Sequence, residues 1–421
     1  MRVSLAAFAA VAALSVANAQ TPTFSKDVAP IFQKRCQECH RPNTFAPMSL
    51  LTYEEARPWA RSIRQKVLAR EMPPWYVDRN VGVEHFVNDV SLSNQEIATI
   101  AAWVDGGAPQ GNPRDLPAPR VFQEMDVWHI GEPDLIVQMP QDRVVPAQGP
   151  DKWLDIVVDP GVTEDRYMQA IETRPTKGQR VVHHVVTTMR RDDGVAAGAV
   201  LNEYALGKNG HTFQPDSGRL FKAGAKINFN VHLHAVGEET AANVAVAIKF
   251  YPKGYVPKNI EISEAVGSTR DLDIPPNSDN VRADGYTQLT RSARILSFQP
   301  HLHNRGKAQC LEAIHPGGRK VETLSCVSNY QFAWHLEYLY AEDEQPLLPA
   351  GTMLHTISWY NNTASNKFNP DPDAQVAYGQ RTIDEMSHTW VNFQYLSEEE
   401  FQQQVAARAA KQKKAVAQDV R

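Results

Sequence analysis

Arg180-Val181-Val182-His183-His184-Val185-Val186 sets two adjacent histidines inside a run of valines. Valine runs prefer strand. A strand this apolar is expected to be buried, and buried imidazoles need partners. The chain offers partners of the same kind further on, in Asn230-Val231-His232-Leu233-His234 and in Phe298-Gln299-Pro300-His301-Leu302-His303. Neutral imidazole is the commonest transition-metal ligand. The three stretches are therefore read as metal ligands, and the rest of the chain as scaffold and electron supply.

The 421 residues leave room for roughly two to four domains. A net charge of −5 gives no reason to expect nucleic acid or an anionic membrane as partner. The 28 prolines and 23 glycines favour many turns and short strands. Residues 1–19 read as a leader: Met1-Arg2 is a short basic start, Val3 to Val16 is an apolar core, and Ala17-Asn18-Ala19 fits a small-residue cleavage site. The apolar run is short for a membrane span, and no later stretch is apolar enough to be one. The expected mature protein is periplasmic or secreted.

Cys36-Gln37-Glu38-Cys39-His40 is the C-x-x-C-H attachment signature of c-type haem. In that chemistry Cys36 and Cys39 form thioethers and His40 ligates iron. Phe24, Val28, Ile31 and Phe32 make a helical stripe leading into Cys36. Ser93 and Glu96 make a capping box for a helix with Ile97, Ile100, Ala101 and Val104 on its buried face, and Gly106-Gly107 ends it. These features resemble the cytochrome c fold over about ninety residues. The second axial ligand of such a haem is usually Met or His. Met72, stiffened by Pro73-Pro74-Trp75, is the choice, with Met48 and His85 as rivals.

Residues 108–125 form a proline-rich connector, expected to be semi-extended and solvated. Beyond it short β-rich runs recur, from Leu135-Ile136-Val137 to Met353–Trp359. Cys310 and Cys326 flank Pro316-Gly317-Gly318, and a hairpin centred on Gly318 brings the two thiols face to face, as a disulfide in an oxidising compartment. The expected fold class is multidomain: a small all-α cytochrome c-like domain (20–107) followed by two all-β sandwich domains (126–284 and 285–398). A helical tail follows at 399–421.

His-x-His on a strand places both rings on one face, about 7 Å apart along the backbone. His301 and His303 fit this. Adjacent histidines on a regular strand point to opposite faces, so His183 and His184 reach one metal only if the strand is bulged or twisted there. The order of a His-His pair, a later histidine, an H-x-H pair and a late methionine resembles the type II copper, ascorbate-dependent monooxygenases, the peptidylglycine α-hydroxylating and dopamine β-monooxygenase family. The resemblance covers about residues 126–398. It implies two successive β-sandwiches, each with one copper: His183, His184 and His232 at the first, and His301, His303 and Met386 at the second. His234 competes with His232, and His388 competes with Met386. The fused C-x-x-C-H module and the sparse cysteines depart from the animal enzymes, and bacterial relatives are the closer match.

The resemblance implies two copper ions, and the C-x-x-C-H motif implies one covalently bound haem c. The resemblance also implies O2 and a small organic or peptide-like substrate, with a periplasmic electron donor or an ascorbate-like reductant. The His₂Met site, softer and favouring Cu(I), would be where O2 is activated, with His301, His303 and Met386 as the catalytic set. Two other readings stand beside it: a non-enzymatic periplasmic copper-binding or electron-transfer protein, and another copper-haem oxidoreductase such as a nitrite reductase. His129, His211, His315, His335 and His355 lie outside the matched motifs and are read as polar surface or core residues.

Overall fold

The computed structural model describes residues 21–42, 44–122, 127–190, 199–205, 208 and 210–419. The leader at 1–19 lies outside the described residues. The chain divides into two compact units, residues 1–73 with 91–121, and residues 74–90 with 122–421.

The first unit is built from short helices, among them Ala29–Arg35, Ala60–Leu68 and Asn94–Asp105. The expected capping box of Ser93 with Glu96 forms, and a second one, Thr52 with Glu55, starts another helix. Each satisfies backbone N–H groups that a helix start leaves without partners. Phe24, Phe32 and Trp103 are fully buried and pack at centroid distances of 6.0–6.4 Å. The proline-rich connector does not stand free: Ala118 accepts a hydrogen bond from the Gln33 side chain, and Arg120 pairs with Glu38.

The second unit is almost all strand. One four-stranded antiparallel sheet runs in the order Lys152–Val158, Lys226–Leu233, Val182–Arg190, Ala199–Ala205. Another runs Asp279–Gln288, Met353–Asn361, Gly306–Ile314, Val321–Val327. A twelve-stranded sheet links most of the remaining strands. Two apolar clusters fill the interior, one around Phe221, Phe229 and Ile248, the other around Phe298, Tyr338 and Phe393. Cys310 and Cys326 are register partners and are disulfide-bonded. Among the described residues no helix is long and apolar enough to cross a membrane.

This architecture corrects the expected all-α cytochrome c-like domain followed by two β-sandwiches. The chain is mostly sheet, and the α-helices ahead of the strands are only four to twelve residues long. Residues 74–90, expected inside the all-α module, belong to the β-rich unit. Trp75 and Val77 are buried in its core, and Val83 and Val87 donate backbone hydrogen bonds to Leu324 and Leu339. The strands do not separate into two halves either. Glu261–Val266 pairs with Thr389–Gln394, and Asp279–Gln288 runs through the expected boundary at 284/285. Hydrophobic patterning reveals that a segment is a strand, but not which edges it joins.

Candidate metal centre

In the Lys152–Val158 sheet, Trp153, His232 and His184 are consecutive cross-strand partners. The register slips between Val182 and His184, which leaves His183 as the extra residue of a β-bulge. The bulge turns both rings of the His-His pair to one place: their Nδ1 atoms lie 3.1 Å apart. Two imidazole nitrogens on one metal, at bonds of about 2.0–2.1 Å, stand roughly 3 Å from each other. The His232 ring is 4.8 Å from His183 and 5.0 Å from His184, and it stacks on the Trp153 indole at 4.0 Å. Asp151 receives His232 Nε2 at 2.8 Å, which leaves His232 Nδ1 buried without a partner. His234, in contrast, is exposed and turns to the other oxygen of Asp151.

The second motif is not a pair on one regular strand. The strand Ser297–His301 ends at the first histidine, and His303 sits in the turn beyond it, the two rings crossing at 5.5 Å and 77°. Buried side chains fix this turn. Tyr330 Oη bonds both the N–H and the C=O of Leu302, Gln309 accepts from the His301 N–H, and Glu385 accepts from the N–H groups of His303 and Arg305. His303 Nδ1 meets the Asp384 carbonyl at 3.0 Å, which leaves Nε2 for another partner. His388 is the cross-strand partner of His301 and stacks on it at 4.5 Å. Met386 is half-buried, just ahead of that strand, and its carbonyl accepts from Tyr360 Oη.

A seventh imidazole, missed in the sequence, joins these groups. His335 lies in the loop after the Val321–Val327 strand, buried, with its ring 5.2 Å from His184, 5.8 Å from His183 and 5.4 Å from His301. Ring nitrogens of His183, His184 and His335 all fall within 4.8 Å of one another. Centroid distances put His232 nearer the pair than His335, whereas the nitrogens single out His335. Metals are bound at nitrogen, so His335 can donate to the pair's site in addition to His232. A lone histidine after Phe332-Ala333-Trp334 carries no pair motif, so the only sequence signal was its aromatic surroundings. His129, His211, His315 and His355 each sit within 3.1 Å of a carboxylate instead.

Burial favours the neutral form of the imidazoles in the histidine motifs. It pushes His183 down to about 3, and His303 and His388 down to about 4. His184 and His301 fall well below the usual histidine range for the same first reason, with neighbouring histidines adding to it. Neutral rings are the form that ligates a metal. The donor set also fits a metal by its unmet hydrogen bonds. Buried ring nitrogens of His232, His301, His335 and His388 have no hydrogen-bond partner, an expensive state for a polar atom in a protein interior.

In the first unit, Cys36 and Cys39 are free thiols in the turn after the Ala29–Arg35 helix, and burial pushes Cys36 up to about 12. The His40 Nδ1 atom is 3.2 Å from the Met48 carbonyl, so Nε2 is the nitrogen left for iron. Met48 and Cys36 both pack against the apolar core of that unit, and it is the Met48 carbonyl that meets His40. Met72 is half-buried. His85 belongs to the β-rich unit and is paired with Glu344.

No family model matches the chain, and no curated protein matches it. Among solved structures, the major capsid protein P2 of bacteriophage PM2 aligns at a TM-score of 0.30 and 10% identity, covering 62% of this chain and 98% of that one. An allantoicase from Saccharomyces cerevisiae aligns at 0.19 and 10% identity, covering 57% and 77%. Likenesses this distant carry no argument about fold or function.

Proposed function

We propose that the protein is an exported copper- and haem-dependent monooxygenase, similar in its ligand order to the type II copper, ascorbate-dependent monooxygenases. The observation that carries the reading is the gathering of these imidazoles, with buried ring nitrogens of His232, His301, His335 and His388 that lack hydrogen-bond partners. Copper, when bound, would supply one-electron redox chemistry and O2 activation. His183, His184 and His232 would hold one ion, and His301 and His303 the other, with His388 or Met386 as its third ligand. Asp151 orients His232, and Tyr330, Gln309 and Glu385 hold the His301–His303 turn. A carboxylate on a ring nitrogen, as Asp151 is on His232, fixes ring orientation and raises ligand basicity, whereas the other three position the backbone of the turn. Cys36, Cys39 and His40 would carry a haem c, with Met72 as the sixth ligand, and a periplasmic donor would reduce it. Hydroxylation of an organic C–H takes one O2, two electrons and two protons, and returns the alcohol and water.

The test is copper and haem content per chain, followed by O2 uptake of the reduced protein with candidate small organic or peptide-like substrates. Two coppers, one haem and substrate-dependent uptake with hydroxylated product are expected. Redox cycling without product in fully loaded protein would leave an electron-transfer protein instead.

A further inference from the structure

We infer that His335 is a metal ligand placed where the two histidine groups meet, so that they form one two-metal centre rather than two separate pockets. The inference rests on the metal reading above and deepens it, because neither motif contains His335. Three observations carry it. The first is convergence: a His335 nitrogen lies within 4.8 Å of ligand nitrogens of both His183 and His184. The second is continuity. Rings that share one metal have centroids roughly 4.5–6 Å apart, given metal–nitrogen bonds of about 2.0 Å. His335 falls within that span of His183 and His184 on one side and of His301 on the other.

The third is the state of the ring itself. His335 is buried, and both of its nitrogens lack a hydrogen bond. Its nearest carboxylate is Glu203, whose Oε1 lies 3.6 Å from Nδ1. Glu203 is itself buried and is held in place by Gln299 at 2.5 Å and Lys208 at 3.4 Å. Glu203 is thus the carboxylate placed to pair with Nδ1 when Nε2 holds a metal, as outer partners of ligating histidines do. Phe332 packs against His183, His303 and His335, and so keeps the junction apolar.

The experiment loads the full-length chain with cupric ion, counts bound copper and integrates its electron paramagnetic resonance signal. Two bound ions with a broadened signal, below the intensity of two independent spins, are expected. Two ions with a full, additive signal overturn the single centre, whatever the activity. His335→Ala and His335→Gln are then titrated with copper. Both are expected to lose one ion, or to bind it more than about 100-fold more weakly, beyond what loss of an outer partner brings. Either variant binding both ions with unchanged affinity and spectrum overturns the ligand role. If His335→Ala does not fold, His335→Gln and the wild-type signal still decide. Wild-type protein that binds fewer than two ions removes this inference and the two-copper reading together. A coupled pair that takes up no O2 supports the inference and removes only the monooxygenase.

Discussion

His184 and His232 are cross-strand partners, with rings 5.0 Å apart, and the register slip just before His184 makes His183 the bulged residue. The bulge is what lets two sequence neighbours serve one site. On a regular strand one of the two rings would face the opposite side of the sheet. The copper-binding reading therefore gives His183 a role that packing does not demand. His183→Ala is expected to weaken first-site copper binding by more than about 100-fold, above the usual cost of losing an outer partner. The fold should be retained. Copper titration followed by circular dichroism checks both halves, and unchanged affinity would show that the bulge serves packing alone.

Asp151 separates His232 from its rival His234. It receives Nε2 of His232 at 2.8 Å and Nδ1 of His234 at 2.7 Å, but only His232 stands beside the pair. Asp151→Asn is expected to lower first-site affinity about 10–100-fold. His234→Ala should leave it near the wild-type value. The reverse ranking would make His234 the ligand.

The strands that carry the histidines were legible because their apolar patterns are strong: Val182–Arg190 and Lys226–Leu233 lie within a residue or two of where valine and phenylalanine place them. The Cys310–Cys326 pairing was legible from the turn residues between the cysteines. What stayed hidden depends on distant chain segments. Arg166–Lys177 reads as polar and contains Pro175, yet it is a twelve-residue strand, with Glu172 buried against His129. Asp279–Gln288 sits in what composition marks as a break, yet it pairs along its length with Met353–Asn361. His335 has no motif at all and reaches the centre only because its loop folds back over both histidine groups. Residues 74–90 looked like part of a helical module because they lie between helices, and only tertiary packing assigns them to the sheets.

The haem assignment separates cleanly from the copper assignment because its residues lie in the other compact unit. Cys36→Ala is expected to abolish stable haem attachment while copper binding stays at the wild-type level. Met72→Ala should keep the thioethers but lower the haem potential, since loss of a thioether ligand removes the stabilisation of ferrous iron. Pyridine haemochrome content and a redox titration read the two variants. A Met72→Ala potential equal to wild type, with a shift in Met48→Ala instead, would move the ligand to Met48.

The copper-free protein should be acid-sensitive in a defined window. Burial lowers His183 to about 3 and His303 and His388 to about 4 in the folded chain, against about 6.5 when unfolded. Below that unfolded value the unfolded chain binds more protons, so stability falls as pH falls from about 6.5 towards about 4. Above about 6.5 the contribution is fully present. Urea midpoints of apo protein measured across this window should drop with pH. The drop should be shallower in His388→Ala, which removes one of the titrating rings. Carboxylates, including Glu385, which burial pushes up to about 8, are present in both proteins, so the difference between the two curves isolates the histidine.

At the second site the choice between His388 and Met386 turns on which side chain the strand presents to His301. His388 is the register partner of His301, its ring stacks at 4.5 Å, and its buried Nε2 has no partner. Met386 is tied by its carbonyl to Tyr360. A nitrogen ligand in place of a thioether gives a harder site that favours Cu(II) more than a His₂Met site does. His388→Ala is therefore expected to lose second-site copper in both oxidation states. Met386→Leu should retain Cu(II) affinity within a few-fold. X-ray absorption on the Cu(I) form adds the decisive readout: a sulfur scatterer present in wild type and absent in Met386→Leu would return the ligand to the methionine, and an all-nitrogen shell in both would assign it to His388.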